Sequence, residues 1–170
     1  MYILWDKIAQ CLKEHSERLA VAKVLVENGL SIRDGKTYCD DIKISTIEIG
    51  RVARVDRRTV SKTTKMIEGN PELKVIFNNI KPAGTSLKEI ARYLKLGVVE
   101  ITPVNARTPG ILAGAASLLA ERNISIRQAI VDDPELSPEP KLVLIAEREI
   151  PGELISELLK VTGVSKVSIY

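Results

Sequence analysis

Four cations at helical spacing are the side chains of this chain best placed to do chemistry. Arg58, Lys62 and Lys65 recur three and four residues apart, and Arg57 stands at the N-terminal edge of the same stretch. From Arg51 to Lys65 there are six Lys/Arg and one acid, Asp56. The chemistry open to such a face is recognition of a polyanion. Lysine and arginine neutralise phosphates and release counterions, which gives affinity. Arginine also pairs bidentately with guanine edges, which gives specificity. Ser61 lies on this face and Thr59 in its first turn, so Arg57, Arg58, Thr59, Ser61, Lys62 and Lys65 are the candidate DNA contacts. A solvated charged helix face is the ordinary alternative. The near absence of interspersed acids weighs against it.

A second constellation is the polar loop Asn105-Ala-Arg-Thr-Pro-Gly110, followed at once by an apolar helical pattern. Free N–H groups and the dipole at a helix N-terminus favour a carboxylate. Asn105 offers both a donor and acceptors to a zwitterion, and Arg107 can clamp a carboxylate bidentately. The rival for Arg107 is a plain surface arginine. Gln128 can reach a ligand from the second strand, or be a solvated edge-strand residue. Asp132 and Asp133 suit either a divalent cation or a solvated acidic loop, and the loop is the reading adopted.

Catalytic chemistry finds less support. His15 is the only histidine, Cys11 and Cys39 are the only cysteines, and no glycine-rich phosphate loop is present. No nucleophile–base pair or metal-ligand spacing results, so neither an enzyme nor a bound metal or cofactor is expected. No apolar run reaches membrane-spanning length, and the N-terminus lacks the regions of a signal peptide. A soluble, cytoplasmic protein is expected. The formal net charge is +3 over 170 residues. It is split: residues 1–96 carry 18 Lys/Arg against 12 Asp/Glu, whereas residues 97–170 carry 7 against 10. Such asymmetry suggests two domains with different partners, the basic one facing a polyanion.

The elements that must position these residues follow from periodicity. Ile8, Leu12, Leu19, Ala22 and Val26 recur at helical spacing, with Ser16 available to cap a second helix and Gly29 to end it. Asp34-Gly35 predicts a tight turn, hence a short hairpin or structured loop. Ser45 and Glu48 form a capping box for a helix whose apolar stripe is Ile49, Val52 and Ala53. Asp56 caps the next helix, 57–68, whose inner face is Val60, Thr63 or Thr64, and Ile67. Gly50 would let the two helices approach closely. Pro71 starts a short helix. Ser86 and Glu89 form a second capping box, predicting a helix over 86–96.

From Gly97 the order reads strand, helix, strand, strand, helix, strand. The first helix, from Pro109 to Glu121, turns Ile111, Leu112, Ala115, Leu118 and Leu119 inward. The continuous apolar run Leu142–Ala146 fits a central strand covered on both faces. Pro151 opens a helix burying Leu154, Ile155, Leu158 and Leu159. Right-handed crossovers make this a ferredoxin-like βαββαβ sandwich, with one sheet face or edge left for a partner. The fold class is therefore α+β: an N-terminal helical helix-turn-helix domain over 1–80, a linker helix over 81–96, and a ferredoxin-like domain over 97–170.

Two resemblances attach to these residues. Ile49-Gly-Arg-Val-Ala-Arg-Val-Asp-Arg-Arg-Thr-Val-Ser-Lys-Thr is similar to the helix-turn-helix of bacterial and archaeal repressors, although that pattern usually has glycine in the turn where Arg54 stands. Val104-Asn-Ala-Arg-Thr-Pro-Gly-Ile-Leu112 resembles the loop of the ACT domain, an amino-acid-sensing module in which a loop after the first strand binds its ligand between paired domains. The whole chain resembles a chiefly archaeal family of predicted regulators of amino-acid metabolism, through Val55-Asp-Arg-Arg-Thr-Val60, Ile126-Arg-Gln-Ala-Ile130, Asp132-Asp-Pro-Glu-Leu136 and Gly163-Val-Ser-Lys-Val-Ser-Ile-Tyr170. The resemblance implies an amino-acid-responsive, DNA-binding transcriptional regulator acting as a homodimer or higher oligomer through its ACT domain. It implies ligand contacts at Asn105, Ala106, Arg107, Pro109, Gly110, Ile111 and Gln128. The alternative is an amino-acid-sensing interaction module that regulates a biosynthetic enzyme without binding DNA.

Overall fold

A computed structural model describes residues 4–13 and 15–170. The chain divides into two compact units, residues 1–84 and 85–170.

The first unit runs α1 (Leu4–Leu12), α2 (Ser16–Glu27), β1 (Ser31–Arg33), β2 (Lys36–Cys39), β3 (Ile42–Ile44), α3 (Thr46–Ala53), α4 (Arg57–Gly69) and α5 (Pro71–Asn79). Its core is Ile8, Leu12, Val21, Leu25, Ile32, Ile49, Val60, Ile67, Leu73 and Phe77, all buried. The Asp34-Gly35 turn joins β1 to β2 with both residues at positive φ (50° and 69°), as a two-residue hairpin turn of the primed type requires. The hairpin continues into β3, so the predicted hairpin is a three-stranded antiparallel meander, β1-β2-β3. Three sequence expectations here are corrected. Ser16 is the first residue of α2 and His15 is its cap, with no side-chain hydrogen bond. Val52 is 65% exposed, on the outer side of α3 rather than in its buried stripe. Leu19 is only half-buried.

The second unit is β4 (Gly97–Pro103), α6 (Ile111–Glu121), β5 (Ile126–Val131), β6 (Leu142–Ala146), α7 (Leu154–Leu158) and β7 (Val164–Ile169). Strand order is β5-β6-β4-β7, antiparallel throughout, which is the ferredoxin-like arrangement. Alternation along the central strands divides the core. Val99, Ile101, Leu142, Leu144 and Ala146 face α6 and α7, packing on Ile111, Ala115, Leu119, Leu154 and Leu158. Val98, Val143 and Ile145 face the other way. All five residues of β6 are buried, as its unbroken apolar run required. Leu112 and Leu159, expected inward, are 43% and 45% exposed. Helix α6 begins at Ile111 rather than Pro109, with Gly110 as its cap at φ 93°.

The predicted helix over 86–96 is not there. A single 3-10 turn at Lys88–Ile90 is followed by further turns, and Lys95 sits at φ 56°. The capping box does not close: Ser86 Oγ accepts from Lys88 N at 3.3 Å, a local turn rather than a helix cap. Apolar residues decide the shape. Leu87, Ala91 and Leu96 lie against Val98, Val143, Ile145 and Ile130, so the segment is a strap over the sheet face that the helices leave open. The face expected to await a partner is thus partly covered by the chain itself.

Candidate functional site

The basic helix is set by two local devices. At the turn between α3 and α4, Arg54 takes left-handed angles (φ 57°, ψ 42°), and the Val55 N–H reaches back to the Gly50 carbonyl at 2.9 Å. This is a Schellman closure with arginine where glycine is usual. A Cβ at Gly50 would lie 2.7 Å from the Val55 carbonyl oxygen, so a glycine is what the close approach demands. Next, Asp56 Oδ1 accepts from the N–H groups of Arg58 (2.6 Å) and Thr59 (2.8 Å). These hydrogen bonds, that to Thr59 foremost, with the charges of Arg58 and Lys62, hold the Asp56 carboxyl below its ordinary pKa.

Val60, Thr63, Thr64 and Ile67 are buried, and both threonine hydroxyls donate to carbonyls of their own helix. That leaves Arg57, Arg58, Lys62 and Lys65 exposed on the outer side. Among the described residues none of the four forms an ion pair. The two predicted hydroxyl contacts are differently placed. Ser61 Oγ donates back to the Arg57 carbonyl at 3.1 Å, and Thr59 Oγ1 donates to Glu17 Oε2 at 3.3 Å. Thr59 and Lys62 share a polar cleft with His15, Ser16, Glu17 and Arg18 at the start of α2.

In the second unit a cavity of about 170 Å³ opens at the start of α6. Ala106, Gly110 and Ile111 line it, with Pro103, Thr108, Leu112, Val131, Asp132, Pro140, Lys141 and Leu142. Three predicted residues therefore come together there. Asn105 and Arg107 instead border an adjoining, more open groove beside Pro134 and Glu139. Asn105 Oδ1 accepts from the Arg107 N–H at 2.9 Å, which shapes the loop. The Arg107 guanidinium lies 3.5 Å from Glu135 Oε1. Pro109 is exposed and lines neither space.

Gln128 belongs elsewhere. Its Oε1 accepts from the Leu87 N–H (2.9 Å) and its Nε2 donates to the Thr85 carbonyl (2.6 Å). The cause is register. A bulge between Ile126 and Gln128 shifts the alternation, so Gln128 shares the strap-side face with Ile130, whereas the cavity residue Val131 is on the helix side. A polar residue predicted to touch ligand is the anchor of the strap.

Sequence reasoning also passed over Glu100, whose side chain is only 9% exposed on the central strand β4. It bonds to Lys141 Nζ at 2.8 Å and to Lys88 Nζ. Those two hydrogen bonds, Lys141's first, outweigh burial and lower the Glu100 pKa, while hydrogen bonding to Glu100 raises that of both lysines. The signal was legible: one acid in the otherwise apolar run Val98–Ile101 must be paired or it would not be tolerated. Asp132 Oδ2 accepts from the Lys141 N–H at 3.1 Å. No group of three or more His, Cys, Asp or Glu suited to a metal ion occurs among the described residues. No helix among them is long and apolar enough to cross a membrane.

No family model matches the chain. No curated protein matches it either. Among solved structures it is similar to a transcriptional regulator of Neisseria meningitidis in complex with L-methionine, at 12% identity and TM-score 0.30, covering 92% of this chain and 86% of that one. It is also similar to the leucine response regulatory protein of Mycobacterium tuberculosis, at 14% identity and TM-score 0.29, covering 92% and 90%. Values this low leave function to be read from the chain's own residues.

Proposed function

We propose that this chain is a DNA-binding transcriptional regulator whose second unit senses an amino acid, acting as a homodimer through that ACT-like unit. The observation that carries the reading is the outer side of α4: four cations, exposed and without an ion pair among the described residues, on a helix fixed at its N-terminus by Asp56. Residues at that end reach furthest into the major groove in helix-turn-helix proteins. On a duplex of random sequence all four cations are candidate phosphate contacts, and at a specific site Arg57 and Arg58 are the candidate base readers. Ser61 and Thr59 remain candidates that must first release their internal hydrogen bonds. The cavity at Ala106, Gly110 and Ile111 supports the sensing half, with Asn105, Arg107 and Pro109 shaping the loop around it. Gln128 acts through the strap rather than on the ligand. A coupling of about 1–3 kcal/mol between effector and DNA suffices for a useful switch.

The test is the salt dependence of binding to a duplex of random sequence, wild type against Arg57→Ala/Arg58→Ala/Lys62→Ala. Each phosphate contact contributes about −0.9 to the slope of log K against log salt, so three lost contacts flatten it by about 2.7 per chain. Between 50 and 200 mM salt the wild type then weakens about 40-fold more per chain than the variant. Equal affinity and equal slope would overturn the assignment of this face. Light scattering at micromolar concentration checks the dimer, and a monomeric mass removes it.

A further inference from the structure

We infer that the cavity takes an α-amino acid with a compact, uncharged, apolar side chain of three or four heavy atoms, and that Asp132 receives its ammonium group. The inference rests on reading the second unit as an amino-acid sensor and adds the class of amino acid. Three observations carry it.

The walls are chiefly aliphatic: Pro103, Ala106, Ile111, Leu112, Val131 and Leu142. Two of them, Leu112 at 43% and Val131 at 59%, are exposed while lining a concavity, which is apolar surface that an apolar ligand group covers. A charged side chain laid against these aliphatic walls would lose its water without compensation there.

The volume limits the size. An aliphatic cavity of about 150 Å³ holds one benzene ring. The space here is about 170 Å³, which takes a branched or thioether side chain together with the α-carbon. An indole is larger than the benzene ring that a cavity of this size holds.

The charged groups fall where a zwitterion needs them. Asp132 and Lys141 are the charged residues of the lining. The Lys141 ammonium is occupied at Glu100, which belongs to the strap side of β4, so Asp132 supplies the available charge. Its carboxylate is steadied by the Lys141 N–H at 3.1 Å. Beside Gly110, where a Cβ would meet nothing within 4 Å, the backbone at the start of α6 is open to a carboxylate.

The experiment is calorimetric titration of the full chain with valine, leucine, isoleucine, methionine, glutamate, lysine and tryptophan, and with 4-methylpentanoate, which is leucine without its ammonium group. At least one of the first four should bind 10-fold or more tighter than glutamate, lysine or tryptophan. Asp132→Asn should weaken that amino acid 10-fold or more and leave 4-methylpentanoate unchanged. Ala106→Phe, which fills the cavity from the loop, should abolish binding; if it does not fold by circular dichroism, Leu112→Trp replaces it. Tightest binding by a charged or bicyclic amino acid overturns the inference but leaves the sensing function standing. Unchanged binding in folded Ala106→Phe or Leu112→Trp overturns the placement. No heat from any of the amino acids at 10 mM overturns the sensing function and the inference with it.

Discussion

Replacing Gly50 by alanine sets two effects of opposite sign against each other. Alanine is better than glycine inside a helix by about 0.8–1 kcal/mol, so propensity alone stabilises α3. Geometry opposes it. The new Cβ would lie 2.7 Å from the Val55 carbonyl oxygen. That oxygen cannot simply retreat, because the Val55 N–H is bonded to the Gly50 carbonyl at 2.9 Å. Relief means opening the turn, with loss of a hydrogen bond worth about 1 kcal/mol and an overpacking penalty of about 1–3 kcal/mol. The net expectation is a loss of about 1–3 kcal/mol, or a fall of at least about 4 °C in the melting of a unit this size. Trp5, the only tryptophan, stands in α1 of that unit and reports it by fluorescence. Gly69→Ala is the internal control. Gly69 also lies in a helix, yet a Cβ there would meet nothing within 4 Å, so propensity acts alone and the melting point rises or holds. Opening the turn also re-aims α4, so Gly50→Ala should weaken DNA binding without flattening its salt slope, since no cation is removed. A melting point raised by Gly50→Ala as by Gly69→Ala would refute the close approach of the Val55 carbonyl to α3.

Two more perturbations address the second unit. Replacing Lys88 and Lys141 together by methionine strands the Glu100 carboxylate, whereas Glu100→Leu leaves two lysines, each about a third exposed, that can turn to water. Thermal melts should therefore show the larger fall for the double lysine variant, and the reverse order would mean that the trio is not coupled. The lowered pKa of Glu100 fixes the pH dependence. Its contribution is complete above the ordinary value of 4.5 and is lost as pH falls through the lower folded value, so the acid arm of the stability curve should be shallower in Glu100→Leu than in wild type. Gln128→Ala removes both bonds to the strap and leaves the Leu87 N–H unpaired, at about 1–3 kcal/mol. Hydrogen exchange should quicken at residues 85–91, while amino-acid binding changes less than twofold because the cavity is on the other side of the sheet; a large loss of binding would return Gln128 to the ligand site.

What the sequence disclosed, and what it hid, has a consistent physical division. Elements written as repeated local signals were readable: the Asp56 cap, the 3.6-residue spacing of Val60 and Ile67, the Asp34-Gly35 turn, the unbroken apolar β6. Each depends on neighbours within a turn or a strand. Gly50 was readable too, since only a missing side chain lets the Val55 carbonyl of the turn come so close to α3. The errors concern residues whose neighbours are far away in sequence. The Ser86–Glu89 capping box is a sound local signal, yet Leu87, Ala91 and Leu96 gain more by lying on Val98, Val143 and Ile145 than by winding into a helix. Gln128 stands on the strap side because one bulge reverses every later side chain of a strand, and a bulge leaves no mark in an alternating pattern. These two features are connected. Gln128 turns towards the strap and holds it at the Thr85 carbonyl and the Leu87 N–H. Glu100 then holds Lys88 from the same sheet face. One bulge thus converts a presumed ligand contact and a presumed rod into a single tethered segment.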